Sequence, residues 1–352
     1  TNGDILLDPN GVALAQIEGK QITINMCTDS LGGVFVTWQD KRGGIDDDIY
    51  GTHVSANHDI ISQGTGVPIV VEGGNQNAKS IEYAGNTEAF IAWADFRQGA
   101  NADIYGQRLN VDMANNFEEN GFQIAATDEQ ELKPRATYVT NETSFVAWKQ
   151  GDENSKVLYQ FVDASGLVFS DPKSISDNTA LQTAPRVKRS SIGEVFVNWK
   201  DLRDDPINGD QYFQKIDVNG DRQWGDGIRV DPAEDVDFSA RFSAGNTGDV
   251  NVVWERGTFP EIDIMFQNIN AEGNYSLEAP IAISNAPGYQ FAPILSGNAE
   301  VGLYAVYGDQ SSGSIDLKVQ SISTGYQPVW IDFGLTAMIG LDGDVNYTTP
   351  FR

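Results

Sequence analysis

One phrase recurs about six times along this chain and constrains its fold more than any other feature. It reads Trp-x-Asp-x-Arg, a polar gap, then Asp-Ile-Tyr. Trp38, Asp40 and Arg42 lead to Asp48 and Tyr50; Trp93, Asp95 and Arg97 lead to Asp103 and Tyr105; Trp199, Asp201 and Arg203 lead to Asp210 and Tyr212. Weaker copies begin at Trp148, Trp254 and Tyr307, so successive anchors stand 55, 55, 51, 55 and 53 residues apart. Self-similarity at such a period is the mark of stacked supersecondary units.

Each anchor ends an alternating run such as Val34-Phe-Val-Thr-Trp38 or Val195-Phe-Val-Asn-Trp199. β-branched and aromatic residues in alternation read as strands. A second strand follows the polar gap, then an Asx-Gly turn such as Asp217-Val-Asn-Gly220, then a strand near Ile228–Val230 or Ile281–Ser284. Another begins after a Gln…Pro element, Gln130 to Pro134, Gln182 to Pro185 and Gln290 to Pro293. Four strands in fifty-odd residues is the size of a propeller blade, whereas solenoid coils are shorter. No window shows helical periodicity. The expected fold is all-β, a six-bladed β-propeller over residues 1–338, with 339–352 as a tail or the start of a further strand. Residues 4–15 and 328–338 both look like outer strands, and the N-terminal one is expected to close the last blade. Seven blades, or a piece of a longer array, are the alternatives.

Composition narrows the function. Acidic residues outnumber basic ones 50 to 23, a formal charge of −27, which excludes nucleic acid as a default partner. No apolar run is long enough to insert into a membrane as a helix. The chain opens on Thr-Asn-Gly without a basic, apolar leader, so any signal peptide is expected to be removed already. Cys27 is the single cysteine and lies in a strand-like run, as a small buried hydrophobe. The two histidines, His53 and His58, fall together in a segment read as a surface hairpin, far from any nucleophile or zinc constellation.

The Asp and Arg positions of the repeat drift: Gln150 and Asp152 replace them in the third copy, and Glu255-Arg256 stands in the fifth. Drift suits a scaffold, so Asp40, Arg42 and Asp48 and their equivalents are expected to close a charge-assisted loop network beside the Trp. The pattern Trp-x-Asp-x-Arg…Asp-Ile-Tyr-x-Gln-Arg-Leu, followed by Gly-x-x-x-Trp-x-x-x-Gly, resembles uncharacterised propeller-like repeats of large secreted bacterial proteins, which often precede a type IX secretion sorting domain. The resemblance spans about residue 20 to 338 and is best in Trp93–Leu109 and Asp217–Gly227. It implies an extracellular or cell-surface protein of adhesive or assembly type within a larger surface assembly, and it carries over no catalytic residue.

The sialidase box Ser-x-Asp-x-Gly-x-Thr-Trp is absent, but a glycosidase or lyase needs only a well-placed carboxylate pair. Calcium is the expected cofactor, because acidic turns offer hard oxygen ligands. Asp217, Asn219 and Asp221 lead that expectation, with Asp46, Asp47 and Asp48 behind them. Tyr289, Tyr304 and Tyr326 lie off the repeat and are the expected glycan contacts. The function expected is a non-catalytic binding or assembly platform for an extracellular protein or polysaccharide; a secreted carbohydrate-active enzyme is the alternative.

Overall fold

The computed structural model describes residues 7–8, 10–140, 142–233, 237–298 and 302–322, with the pairs 328–329, 338–339 and 345–346. No helix occurs among them. The strands form six antiparallel sheets. The first is β1 (Gln21–Thr28), β2 (Val34–Asp40), β3 (Asp48–Val54) and β4 (Val67–Val70). The second is β5 (Gln76–Tyr83), β6 (Ala89–Asp95), β7 (Asp103–Leu109) and β8 (Phe122–Ala125). The third is β9 (Glu131–Thr140), β10 (Thr143–Gln150), β11 (Lys156–Asp163) and two short outer strands, β12 (Gly166–Leu167) and β13 (Lys173–Ser174). The fourth is β14 (Gln182–Arg189), β15 (Val195–Asp201), β16 (Asp210–Ile216) and β17 (Ile228–Arg229). The fifth is β18 (Asp237–Ala244), β19 (Val250–Thr258), β20 (Glu261–Ile269) and β21 (Ile281–Ser284); the sixth starts β22 (Gln290–Asn298), β23 (Gly302–Asp309) and β24 (Asp316–Ile322).

The chain groups into two compact units. One comprises residues 1–175 and 182–187, the other 176–181 and 188–352, so the division falls inside β14. In the first unit, Trp93 packs in one cluster with Phe35, Ile49 and Ile69 of the first sheet. Trp148 packs in another with Phe90, Ile104 and Ile124 of the second. In the second unit, Trp254 joins Phe196, Phe213 and Trp224, and Tyr307 joins Ile264, Phe266 and Ile283. The repeated anchor is therefore the joint between consecutive sheets. Trp93, Trp148, Trp199 and Trp254 are all 0% exposed.

The joint needs a glycine. Gly66, Gly121 and Gly227 each follow an anchor Trp by 28 residues, and each has a positive φ. A Cβ there would stand 2.4, 2.3 and 2.4 Å from the indoles of Trp38, Trp93 and Trp199. Any side chain would collide with the ring, and an L-residue would resist that backbone as well.

The first strand of each sheet is kinked. Thr23, Lys133, Ala184, Ser239 and Ala292 have φ between 46° and 57° and are each the third residue of their strand. Pairing slips at this level in β1, β5, β9, β18 and β22. A bulge there redirects the side chains that follow it.

The expected N-terminal strand, residues 4–15, lies only partly within the described residues. Leu14 and Gln16 hydrogen-bond Gly64 beside the first sheet, and Leu14 and Ala15 cover Trp38 and Tyr50. Among the described residues these side chains shield the first anchor. Residues 1–6 lie outside the described residues, as do 323–327, 330–337 and most of the 339–352 tail; Pro328–Val329 pairs with β24. His53 is corrected: it is 5% exposed and bonds Asp29 at 3.0 Å, because its strand is central and not a surface hairpin. Cys27 packs partly buried against the first core, and burial pushes its thiol up to about 12.

Trp93→Ala is expected to remove about 3–5 kcal/mol, since it opens a cavity between two sheets. Arg97→Ala, which keeps the ring, should lose about 1–3 kcal/mol. Urea unfolding of both variants checks the order; equal losses would contradict it.

Candidate functional site

The repeat phrase is built as a chain of four linked side chains. The Trp93 indole donates to Asp95 at 2.7 Å, and Arg97 donates to the same carboxylate at 2.6 Å. The Arg97 guanidinium lies 4.1 Å from the Tyr105 ring centroid and reaches the Asn120 carbonyl at 2.9 Å, beside the glycine that clears the indole. Trp38, Asp40, Arg42 and Tyr50 repeat this with 2.8, 2.7 and 3.6 Å, and Trp199, Asp201, Arg203 and Tyr212 with 2.8, 2.7 and 4.1 Å. In each copy the Asp carboxylate is taken up by its own Trp and Arg, while Arg97 Nε and Arg203 Nε are buried without a hydrogen-bond partner among the described residues.

Asp48, Asp103 and Asp210 stand across the strand pair from Asp40, Asp95 and Asp201. Arg42 and Arg97 bond the first acid of each pair and not the second, so the expected three-way loop closure is corrected to a two-way one. The second acids take other partners: Gln123 at 3.2 Å for Asp103 and Arg229 at 2.9 Å for Asp210. Burial, then the charges of Asp46 and Asp40, pushes Asp48 up to about 6. Where the phrase drifts, the indole loses or changes its acceptor. Trp148 Nε1 has no hydrogen-bond partner among the described residues, because Gln150 replaces the Asp. In the fifth repeat Asp237 of β18 accepts from Trp254 at 2.8 Å, and Arg256 turns to Asp231 at 3.1 Å.

The calcium candidates serve turns. Asp217 Oδ1 accepts from the backbones of Asn219 and Asp221, both at 2.9 Å, and Oδ2 accepts from Gln223 at 3.1 Å. Asn110, Asn270 and Ser55 close the equivalent turns in the same way without a charge. Asp46 accepts from Gly74, and Asp47 pairs with Lys41 at 3.3 Å. Among the described residues no group of three or more His, Cys, Asp or Glu side chains is placed to hold a metal ion.

The repeat leaves open space at one place. At the loop end of the second and third sheets a polar cleft of about 770 Å³ is lined by Gln98, Asn101, Asp103, Gln123, Thr127 and Asp128. A smaller cleft of about 250 Å³ shares Asn101 and Asp128 and adds Glu129, Asp152 and Asn154. Beneath them lies Glu131, 0% exposed, bonded through Oε1 to Thr127 at 3.0 Å. Its Oε2 is buried without a partner among the described residues. Burial, then Asp103 and Glu129, lifts Glu131 to about 7. Asp103 is also raised, chiefly by burial.

Sequence reasoning passed over Glu131 because it aligned Gln130 with Gln182 and Gln290. The first strands show the true register: Gln21, Gln76, Gln182 and Gln290 open β1, β5, β14 and β22, while Glu131 and Asp237 open β9 and β18. Gln76 and Gln290 spend their amides on the loops before them. A carboxyl at that place departs from the repeat. Asp237 is likewise buried and is pushed up to about 8, by burial and then by Asp231.

In the second unit, Tyr289 stacks on Phe291 at 4.9 Å and meets Phe259 edge-on at 5.8 Å. Phe259 is 71% exposed, so this run of rings opens to solvent. Tyr304 is 41% exposed on β23. Tyr326 lies outside the described residues.

No family model and no curated protein matches this chain. Among solved structures it is similar to a polysaccharide lyase of family PL25, an ulvan lyase bound to -[GlcA(1-4)Rha3S]-. The TM-score is 0.52 at 12% identity, over 91% of this chain and 84% of that one. It is similar also to the polysaccharide lyase Uly1, with TM-score 0.52 and 12% identity, over 96% and 86%. At such identities the likeness is one of fold. It agrees with an all-β chain of small antiparallel sheets of propeller type.

Glu131→Gln is expected to remove a pH dependence. The folded protein keeps a proton on Glu131 between its ordinary value of 4.5 and about 7, where the unfolded chain has released it. Its contribution is thus full below pH 4.5 and falls as pH rises towards 7. The variant's stability relative to wild type should grow by about 1–3 kcal/mol over that window. A difference independent of pH, measured by urea unfolding from pH 4 to 8, would refute the shift. Asp217→Asn should keep the turn, within about 0.5 kcal/mol of wild type. Calcium and sodium chloride at matched ionic strength should then raise the melting temperature alike; a calcium-specific rise lost in this variant would establish the cation site.

Proposed function

We propose that this chain is a secreted or cell-surface module whose six sheets are the blades of a β-propeller, and that it holds a polysaccharide on its loop ends without cleaving it. The observation that carries this reading is the cleft of Asn101, Asp103, Gln123, Thr127 and Asp128. Amides, hydroxyls and carboxylates offer both donors and acceptors to sugar hydroxyls. A protein-binding core would instead be rich in aromatic and apolar anchors. The open rings of Phe259 and Tyr289 on the second unit add faces on which a sugar can stack. The fold likeness to two polysaccharide lyases is compatible with a polysaccharide partner. A place within a larger surface assembly belongs to the same reading.

One observation favours a second reading, a carbohydrate-active enzyme. Asp103 lines the cleft and Glu131 is buried behind Thr127, both with raised carboxyls, and a carboxyl near neutral can act as acid or base. The same raised values arise from burial at a position that glutamine fills elsewhere, so the binding reading stands first.

Affinity electrophoresis against a panel of polysaccharides separates them. Gln123→Ala together with Asp128→Asn is expected to weaken retention about tenfold or more, and Glu131→Gln to leave it unchanged with no products released by wild type. Reducing-end or unsaturated products that disappear in Glu131→Gln would establish the enzyme instead. Retention of no polysaccharide would remove the binding reading.

A further inference from the structure

We propose that the open face of the sixth sheet is a strand-docking surface, and that its occupant is the segment Asp344–Phe351 of this same chain, laid down as the first strand of a further repeat. The inference does not depend on the glycan reading.

The face stands out against its copies in the other sheets. Two places matter, three residues and one residue before the anchor. In the first five sheets the residues there, from Phe35 and Thr37 to Asn251 and Val253, are at most 2% exposed. In the sixth they are Tyr304 and Val306, 41% and 37% exposed. Val306 pairs across the strands with Ile294, which is 61% exposed. Leu317 of β24 is half-buried, whereas Ile49, Ile104 and Ile264 at the same place in their sheets are 0% exposed. Cross-strand partners share a face, so Ile294, Tyr304 and Val306 form one apolar patch. A patch that is covered in every other copy of the repeat is an interaction surface.

What covers the other copies identifies the occupant. Within each unit the first strand of the following sheet lies over this face: β9 packs on β5 and β6, and β22 on β18, β19 and β20. The residue five places after the start of that strand enters the shared core. Ile81 does so with Phe35, Ala136 with Phe90, Phe242 with Phe196 and Leu295 with Val253. Phe242 also meets Phe213 of the preceding sheet edge-on at 5.2 Å.

The C-terminal segment carries this pattern. Asp344-Val-Asn-Tyr-Thr-Thr-Pro-Phe351 follows Asp235-Val-Asp-Phe-Ser-Ala-Arg-Phe242 residue by residue, with Asp, Val and Phe identical and Asn, Tyr and the first Thr close in type. Asn346 takes the place of Asp237, and Phe351 that of Phe242. The segment also arrives at the right level. Gln76, Glu131 and Gln182 start their strands with a backbone hydrogen bond to Asp47, Ala102 and Ser155, each just before the third strand of the preceding sheet. In the sixth sheet that third strand is β24. Met338 bridges its first residue, Asp316, and Asn346 pairs with Met338. Asn346 is thus brought within one strand of the place where the other first strands begin. Residues 347–352 lie outside the described residues. The step from Asn346 to Phe351 equals that from Asp237 to Phe242, so Phe351 has the reach to set its ring on Tyr304 and Val306. Burial of that ring against an aromatic and an aliphatic side chain is the driving force.

Labelling of the full chain with N-ethylmaleimide tests the proposal, with Cys27→Ala as background and Val306→Cys as the probe. The introduced thiol is expected to react slowly, at a rate independent of protein concentration. Phe351→Asp, which would press a charge against the patch, should speed the reaction at least tenfold. Phe351→Leu, which stays apolar, should leave it slow. Equal rates with Phe and with Asp at 351 would overturn the proposal: if both are fast the face is open, and if both are slow another surface covers it. A rate that rises on dilution would assign the face to a second copy and overturn the proposal as well. Should Val306→Cys fail to fold, Ile294→Cys, directly across from it, carries the same comparisons.

Discussion

The structure depends on a buried indole held by a buried carboxylate. The anchor Trp supplies the largest apolar surface between consecutive sheets, yet its Nε1–H would be costly to bury alone. Asp40, Asp95 and Asp201 solve that problem, and in doing so become buried charges themselves. An Arg two residues on neutralises each and stacks over the Tyr of the next strand. Charge, hydrogen bond and ring face are thus satisfied in a single short loop. The glycine 28 residues later clears the space for the ring. Each component requires the others, which explains why the phrase recurs as a unit and why its loss at Trp148 leaves an indole without an acceptor.

Departures from this unit are where function can enter. Glutamine suits the start of a first strand, because its amide bonds the preceding loop and carries no charge. Glu131 and Asp237 place a titratable group in the same buried pocket, and the surroundings answer by raising its pKa. At Glu131 that happens beneath an open polar cleft; at Asp237 it happens beside Arg229, Arg256 and Trp254, where the acid also replaces the missing indole acceptor. Identical backbone positions therefore carry a neutral amide in one repeat and a titratable carboxyl in another.

The charge of the chain has two faces. Most of its 50 acidic side chains keep the surface hydrated and the molecules apart. Several of the basic ones are fixed in place, Arg42, Arg97 and Arg203 by the acid of their own loop and Lys79 and Lys215 by the carbonyls of Thr23 and Ala271.

Much of the architecture was legible in the chain itself. Period, alternation and the Asx-Gly turns specify strands, their grouping into about six sheets and the role of Trp as a joint, because these follow from local sterics and a repeat that must bury the same face each time. The Asp–Arg pairing was legible too, since the two residues are neighbours in sequence. What only the tertiary structure decided are the relations between residues far apart. Asp48 and Asp103 sit across from the first acid yet outside its ion pair. Asp217 closes a turn that Asn closes elsewhere. Glu131 takes the place of Gln182, though a one-residue shift in spacing disguised it. Leu14 and Ala15 cover Trp38. Each is a matter of register, bulge and burial, and a one-residue slip changes which side chain meets which partner. Sequence carries the residue types; only the packed sheets set which of them are left without one.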